Sequence, residues 1–443
     1  MPGGLLTDLY ELNMAASYLR RGMTGAATFS LYVRTLAKER GFLVAAGLEA
    51  CLDALETFSF DEDELTYLSG IGFDRRAIDD FRGIAFDGDV WAIPEGRIVH
   101  ADEPLLEVTA PLPVAQLVET ILLNQITLHT TVASKAARYR IAAPDRDLVD
   151  FAFRRTHGRE AAIAVARDSA LVGFVSTSNV EAARRLGLRV AGTMAHSFIE
   201  AFPSEVEAFR AFAEDHPERT TFLVDTYDTI NGVRNAIEVI REASLSGRIG
   251  VRLDSGDLDH LAREARRMLD EAGLPQARIF ASGGLDEHEV DELVRSGAPV
   301  DAFGVGTKLG VSADAPYVDS VYKLVESAGA PVLKLSSQKQ TAPGRKQVWR
   351  GPEHDVLALR DEDAPADGFE PLLVPVMRGG GRLGPPPPID QMRARFEADL
   401  GALPTKARRL RHAERVEVHH SPALVELTAT AREDALRRAG VKA

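Results

Sequence analysis

Cysteine is nearly absent. Cys51 stands alone in 443 residues, which excludes a disulfide framework and any cysteine-based zinc site. Positive charge is in deficit, with 52 Lys and Arg against 66 Asp and Glu and a formal net charge of −14. A chain this acidic lacks the positive field that general nucleic-acid binding needs. No apolar run reaches the length of a membrane span. Met1-Pro2-Gly3-Gly4 lacks the basic and apolar regions of a signal peptide. The expectation is a cytoplasmic protein with no membrane and no nucleic-acid partner. The composition is 45% hydrophobic and 27% charged, near globular averages. The length suits two or three domains with full cores.

The first third mixes helical and strand signals. Thr7 or Asp8 suits the N-cap of a helix running to Leu19, with Asp8 and Glu11 at capping-box spacing. Short apolar pairs among Gly, Pro and acids over 84–110 predict a hairpin or small barrel. A single long helix is expected over 113–142. From about residue 148 the pattern changes to β-rich runs at 148–153, 188–193, 221–225, 249–253, 278–281 and 300–305. Helical patterns fall between them at 180–186, 205–214, 230–243, 258–272 and 287–296. Such alternation predicts parallel strands covered by helices. The absence of a GxGxxG turn favours a complete or partial β/α barrel over a dinucleotide-binding sheet. After about Pro331 the alternation stops. Gly379-Gly380-Gly381 and the prolines of 385–388 mark a surface loop or linker, and the Arg-rich remainder from Ile389 reads as mostly helical.

Polar residues gather just after the β-rich runs, the edge on which barrel active sites are built. Gly283-Gly284 and Gly306-Thr307 end two consecutive runs. Glycines let backbone N–H groups approach a phosphate closely, and adjacent late-strand loops form the usual phosphate cup of a barrel. Read as ordinary turns, they would carry no such meaning. Asp225, Asp228, Asp254 and Asp257 form two carboxylate pairs that suit Mg²⁺ or sugar hydroxyls. Asp228 and Asp257 equally suit N-capping, since each precedes a helical pattern. His196 lies among small and hydroxyl residues after a run, a place for nucleophilic or acid–base work as well as for a structural imidazole. Arg154, Arg155 and Arg252 suit bidentate pairing with a phosphate or carboxylate, or salt bridges to the same aspartates. Phe151 and Tyr10 are aromatics beside polar clusters, fit to sandwich a flat ring or to pack in the core.

Several segments together resemble a known family. They are Thr7-Asp8-Leu9-Tyr10-Glu11-Leu12-Asn13-Met14, Arg40-Gly41-Phe42, residues 192–198, 223–229, 251–257 and 301–309, and 334–350 with its Thr341-Ala342-Pro343-Gly344 centre. In this order they resemble the bacterial-type nicotinate phosphoribosyltransferases, of the type II phosphoribosyltransferase fold. The resemblance implies an irregular or incomplete β/α barrel at 146–330, an α+β N-terminal domain at 1–145, and a C-terminal region at 331–443 packing back on it. It implies formation of nicotinate mononucleotide and pyrophosphate from nicotinate and phosphoribosyl pyrophosphate. ATP hydrolysis and Mg²⁺ assist this NAD-salvage reaction, in a homodimer with sites at the interface.

Carried over by position, His196 resembles the histidine that ATP phosphorylates, and Asp225, Arg252 and Asp254 the other catalytic positions. Tyr10 and Phe151 resemble the aromatic pair around the pyridine ring, Tyr10 coming from the neighbouring subunit. Thr193, Arg154, Gly283, Gly284, Gly306, Thr307 and Lys323 resemble substrate-binding positions. Ser178 stands where related nicotinamide enzymes carry an aspartate. A serine can donate to a carboxylate that an aspartate would repel. The chain departs from the family at Gly284, often an aspartate, for which Asp286 is the nearby alternative. It also departs in a shortened loop over 336–341.

Overall fold

A computed structural model describes residues 3–335 and 341–440. The shortened loop therefore lies, apart from Thr341, outside the described residues. The chain divides into two compact units, one made of 1–134 with 317–443 and the other of 135–316.

In the first unit, Ala26–Val33 is a central strand. It pairs antiparallel with Pro104–Pro111 on one side and Ser320–Ser327 on the other. Asp89–Ala92 and the hairpin of Val374–Arg378 with Gly381–Arg382 extend this seven-stranded sheet. Gly379 and Gly380, both at positive φ, are thus a tight hairpin turn rather than a linker. Phe29 stacks on Tyr322 at 4.7 Å in the core, and the Tyr322 hydroxyl donates to the Ala115 carbonyl at 2.8 Å. The long helix expected over 113–142 is two, Leu112–Leu117 and Glu119–Ala142. The first helix begins at Asp8 as expected, without the capping box. The Asp8 side chain makes no cap bond and instead accepts from the Thr120 hydroxyl at 2.8 Å. Glu11 Oε1 lies 2.7 Å from the same hydroxyl, whose single proton the two carboxylates share, and Glu11 also accepts from Thr7. A partner more than a hundred residues away outcompetes the local amides.

The second unit holds six parallel strands. They are β1 (Asp147–Asp150), β2 (Ser176–Thr177), β3 (Arg219–Leu223), β4 (Arg248–Leu253), β5 (Arg278–Ala281) and β6 (Ala302–Val305). Their order is β2-β1-β6-β5-β4-β3, all ladders parallel. This is the strand sequence of a barrel opened between β2 and β3: a curled half-barrel. The strand expected over 188–193 reduces to one bridge, Thr177 to Val190, since the two-residue β2 offers it no longer edge. Helices follow the strands, and their side-chain caps set where each loop ends. Asn179 caps Val180–Leu186, Asp228 caps Thr229–Glu242, Asp257 caps Leu258–Glu271 and Asp286 caps Glu287–Arg295. Such caps are worth about 1 kcal/mol each. Helix Leu258–Glu271 buries Ala262, Ala265 and Leu269, a stripe at helical spacing. Its Arg263 and Arg267 pair with Asp259 and Glu271 on the wet side.

Candidate active site

The loops after β3, β4 and β5 meet at Asp254. Arg252, on β4, donates from Nε to Ser282 Oγ at 2.8 Å and from Nη2 to Asp254 Oδ1 at 2.5 Å. Its Nη1 donates to Thr193 Oγ1 at 3.2 Å. Its guanidinium carbon lies 5.5 Å from the Phe151 ring centroid. Ser282 also donates to Asp254 Oδ1 at 2.5 Å. Asp225 Oδ2 accepts from the Asp254 amide at 3.1 Å and from Ser255 Oγ at 2.5 Å. Burial pushes the Asp254 carboxyl up, but the Ser282 hydroxyl and the Arg252 guanidinium outweigh it and leave the group below its ordinary value. Asp254 is therefore an ionised acceptor at neutral pH.

His196 begins a short helix, His196–Glu200. Its Nδ1 is 3.1 Å from Thr226 Oγ1 and its Nε2 4.0 Å from Asp254 Oδ2. A hydroxyl on one side and a carboxylate on the other orient the ring, while 42% of the side chain stays exposed. Gly283, at φ +109°, packs so tightly that an added Cβ would sit 1.9 Å from the Asp254 carbonyl oxygen. Imidazole and glycine loop thus flank one aspartate. Gly284, at φ +78°, faces open space.

Phe151 stacks on Phe280 at 5.6 Å, and a Cβ on Gly304 would press on its ring at 2.7 Å. Gly306 abuts the Phe151 carbonyl and precedes Thr307, which is exposed at the start of helix Thr307–Gly310. Ser178 is half-buried, with its amide donating to the Asp150 carbonyl at 2.8 Å. Its hydroxyl has no partner among the described residues. Arg154 and Arg155 lie exposed in a single turn, Phe153–Arg155, and make no ion pair among the described residues.

Asp228 and Asp257 serve as N-caps, each accepting through Oδ1 from a backbone amide, of Asn231 and His260 respectively. Asp286 is likewise engaged. It accepts from the His288 and Glu289 amides and pairs with Lys308 at 3.1 Å. Three residues given no role of their own in the sequence also shape the site. Thr226 holds the imidazole, while Asp150 and Thr177 tie β1 to β2 by a 2.6 Å hydrogen bond. Asp150 follows Leu148 and Val149, and a carboxylate interrupting an apolar run was the available signal.

Tyr10 and Lys323 belong to the first unit, where both reach Glu119. Burial, with the nearby Glu119 and Glu11 carboxylates, raises the Tyr10 hydroxyl, and 47% of Tyr10 stays exposed. Burial raises the Glu119 carboxyl, and the Lys323 ammonium is among the groups pulling it back. Glu11 is fully enclosed. Burial pushes its carboxyl up to about 7, against the Thr120 and Tyr10 hydroxyls and with help from Glu119 and Asp8. A raised folded value gives stability that is complete below the ordinary 4.5 and is lost as pH rises through 7. Glu11→Gln should therefore stabilise the protein by about 3 kcal/mol at pH 8 and by nearly nothing at pH 4. Urea unfolding at both pH values checks this, and an equal difference at the two would refute it.

The fold and this edge define a class: a half-barrel α/β protein in which an ionised aspartate, an arginine and a glycine loop converge at one edge of the sheet. Residues 5–127 match the nicotinate phosphoribosyltransferase N-terminal domain, 147–362 the nicotinate phosphoribosyltransferase family, and 364–428 its C-terminal domain. The chain is 46% identical to nicotinate phosphoribosyltransferase pncB2 of Mycobacterium tuberculosis, over 94% of this chain and 96% of that protein. It is 44% identical to the nicotinate phosphoribosyltransferase of Bacillus subtilis, over 81% and 76%. The crystal structure of human nicotinic acid phosphoribosyltransferase superposes with a TM-score of 0.87 at 29% identity, covering 96% of this chain and all of that one. The chain belongs to the nicotinate phosphoribosyltransferase family. Among the described residues no helix is long and apolar enough to cross a membrane.

Proposed function

We propose that this protein is a cytoplasmic nicotinate phosphoribosyltransferase. It would join nicotinate to phosphoribosyl pyrophosphate, release pyrophosphate, and couple the reaction to ATP hydrolysis through phosphorylation of His196. The observation that carries this reading is the position of His196 4.0 Å from Asp254, an aspartate braced by Arg252, Ser282 and Gly283. The similarity to enzymes named for nicotinate supports the choice of substrate.

In this reading the C1–O bond to pyrophosphate breaks first, leaving an oxocarbenium-like ribose. The pyridine nitrogen then forms the new bond to C1. The protein supplies no nucleophile to the sugar; it positions the reactants and stabilises charge. Ionised Asp254 accepts from the ribose hydroxyls. The amides of Gly283, Gly284, Gly306 and Thr307 hold the 5-phosphate. Arg154 and Lys323 meet the donor's phosphates, and Thr193 lines the site beside Arg252. Phe151 and Tyr10 enclose the pyridine ring, with Tyr10 and Lys323 contributed by the second subunit of a homodimer. A half-exposed imidazole suits attack on the γ-phosphorus of ATP, with the bond to ADP breaking as the N–P bond forms.

Asp225 Oδ1 is enclosed and has no hydrogen-bond partner among the described residues, which fits one ligand of Mg²⁺. No cluster of three or more His, Cys, Asp or Glu able to hold a metal ion alone occurs among the described residues. Substrate phosphates and water would complete the shell, the usual arrangement for Mg²⁺. When bound, the ion would neutralise phosphate charge.

The direct test is a product assay with nicotinate and phosphoribosyl pyrophosphate, with and without ATP. Nicotinate mononucleotide is expected in both, faster with ATP, and its absence from both would overturn the proposal. Ser178 supplies a second test. Ser178→Asp should shift the ratio of kcat/KM for nicotinate and nicotinamide toward nicotinamide by about 100-fold, through repulsion of the carboxylate. An unchanged ratio would remove Ser178 from the base pocket.

A further inference from the structure

Asp150 is 1% exposed and ends β1. Its Oδ2 accepts from Thr177 Oγ1 at 2.6 Å, and its Oδ1 accepts from the Ala152 amide at 2.8 Å. Its own carbonyl accepts from the Ser178 amide at 2.8 Å. Thr177 is also 1% exposed. It accepts from the Asn179 amide at 3.0 Å, and Asn179 in turn caps the next helix. Burial holds the Asp150 carboxyl above its ordinary value in spite of its two donors. Enclosing such a group is costly unless its bonds are structural.

These bonds join two short segments. One is the turn that begins with Phe151, and the other is the loop that carries Ser178. In the reading above, Phe151 meets the face of the pyridine ring and Ser178 its carboxylate, so the distance between the segments is the width of the base pocket. The loop after β6 touches the Phe151 carbonyl at Gly306, but the side-chain bonds of Asp150 and Thr177 go to Ala152, Asn179 and each other, and both phosphate loops have fastenings of their own. Gly283 packs on Asp254, and Lys308 ties the loop after β6 to Asp286 and Glu289.

We infer that Asp150 and Thr177 are positioning residues for the base: acting through Phe151 and Ser178, they set nicotinate affinity independently of the phosphoribosyl donor. The inference rests on the nicotinate reading of the site. Neither side chain touches substrate.

The test is steady-state kinetics of full-length Thr177→Val and Thr177→Ser. Valine keeps the shape and removes the hydroxyl, so KM for nicotinate should rise about tenfold, the effect of one lost buried hydrogen bond. KM for phosphoribosyl pyrophosphate and kcat should each stay within about twofold, and serine should restore the wild-type KM. An unchanged KM for nicotinate, a parallel rise in both KM values, or failure of serine to rescue would overturn the inference. If the valine variant does not fold, Asp150→Asn is read in the same way: a selective rise supports the inference and an unchanged KM overturns it. A wild-type enzyme that makes no product would instead overturn the catalytic reading. Positioning is then read from amide hydrogen exchange at Ser178 and Asn179, faster by about tenfold in Thr177→Val if the tether holds them and unchanged if it does not.

Discussion

Replacing His196 with alanine should abolish ATP hydrolysis and self-phosphorylation, by at least about 100-fold, and leave slow synthesis of nicotinate mononucleotide that no longer responds to ATP. The separation follows from the bonding of the site. Arg252, Ser282 and Asp254 hold one another directly, and none of those bonds passes through the imidazole. His196 touches the cluster only at its margin, through Thr226 and a 4.0 Å approach to Asp254. Its loss should therefore remove the phosphate acceptor without dismantling the sugar-phosphate site. Radiolabel transfer from ATP measures the first effect, and product formation with and without ATP the second. Undiminished ATP hydrolysis in the variant would refute the role given to His196.

Gly283→Ala should be the most damaging small substitution at the site, lowering stability by about 3 kcal/mol and abolishing measurable binding of the donor. Two costs combine. The backbone there has φ +109°, which an L-residue with a side chain rarely adopts, and the added carbon would lie 1.9 Å from the Asp254 carbonyl. Neither side can yield, because Asp254 is fixed through its amide by Asp225 and through its carboxylate by Arg252 and Ser282. Gly284→Ala is the control. Its φ is +78° with nothing within 4 Å, so only the backbone cost of about 1 kcal/mol applies. Thermal melting and donor titration of both variants check the contrast, and equal losses would contradict it.

The second unit was the more legible part of the sequence. Helix Val180–Leu186 and strand Arg278–Ala281 lie where the pattern puts them, because short apolar runs and capping side chains are local signals. The barrel edge followed from these, and with it the convergence of Thr193, His196, Arg252, Asp254 and Gly283. Less local features were not legible. Strand β2 has two residues, too few to show any period. The pairing of Ala26–Val33 with Ser320–Ser327 joins segments nearly three hundred residues apart. Asp8 and Glu11 have the spacing of a capping box, and only the three-dimensional arrival of Thr120 turns them elsewhere. Asp150 has no motif, since its importance comes from Thr177, reached across a ladder that the sequence does not display.

The gathering of bonds on Asp254 has an evolutionary consequence. Its amide is held by Asp225 after β3, its carboxylate by Arg252 on β4 and Ser282 after β5, and its carbonyl is packed against by Gly283 in that same loop. A lineage that altered Ser282 would weaken guanidinium and carboxylate at one stroke, and one that altered Asp225 would release the Asp254 amide and Ser255. Drift at these positions should therefore proceed by compensating pairs, with the ancestral set persisting wherever the second change has not yet arisen.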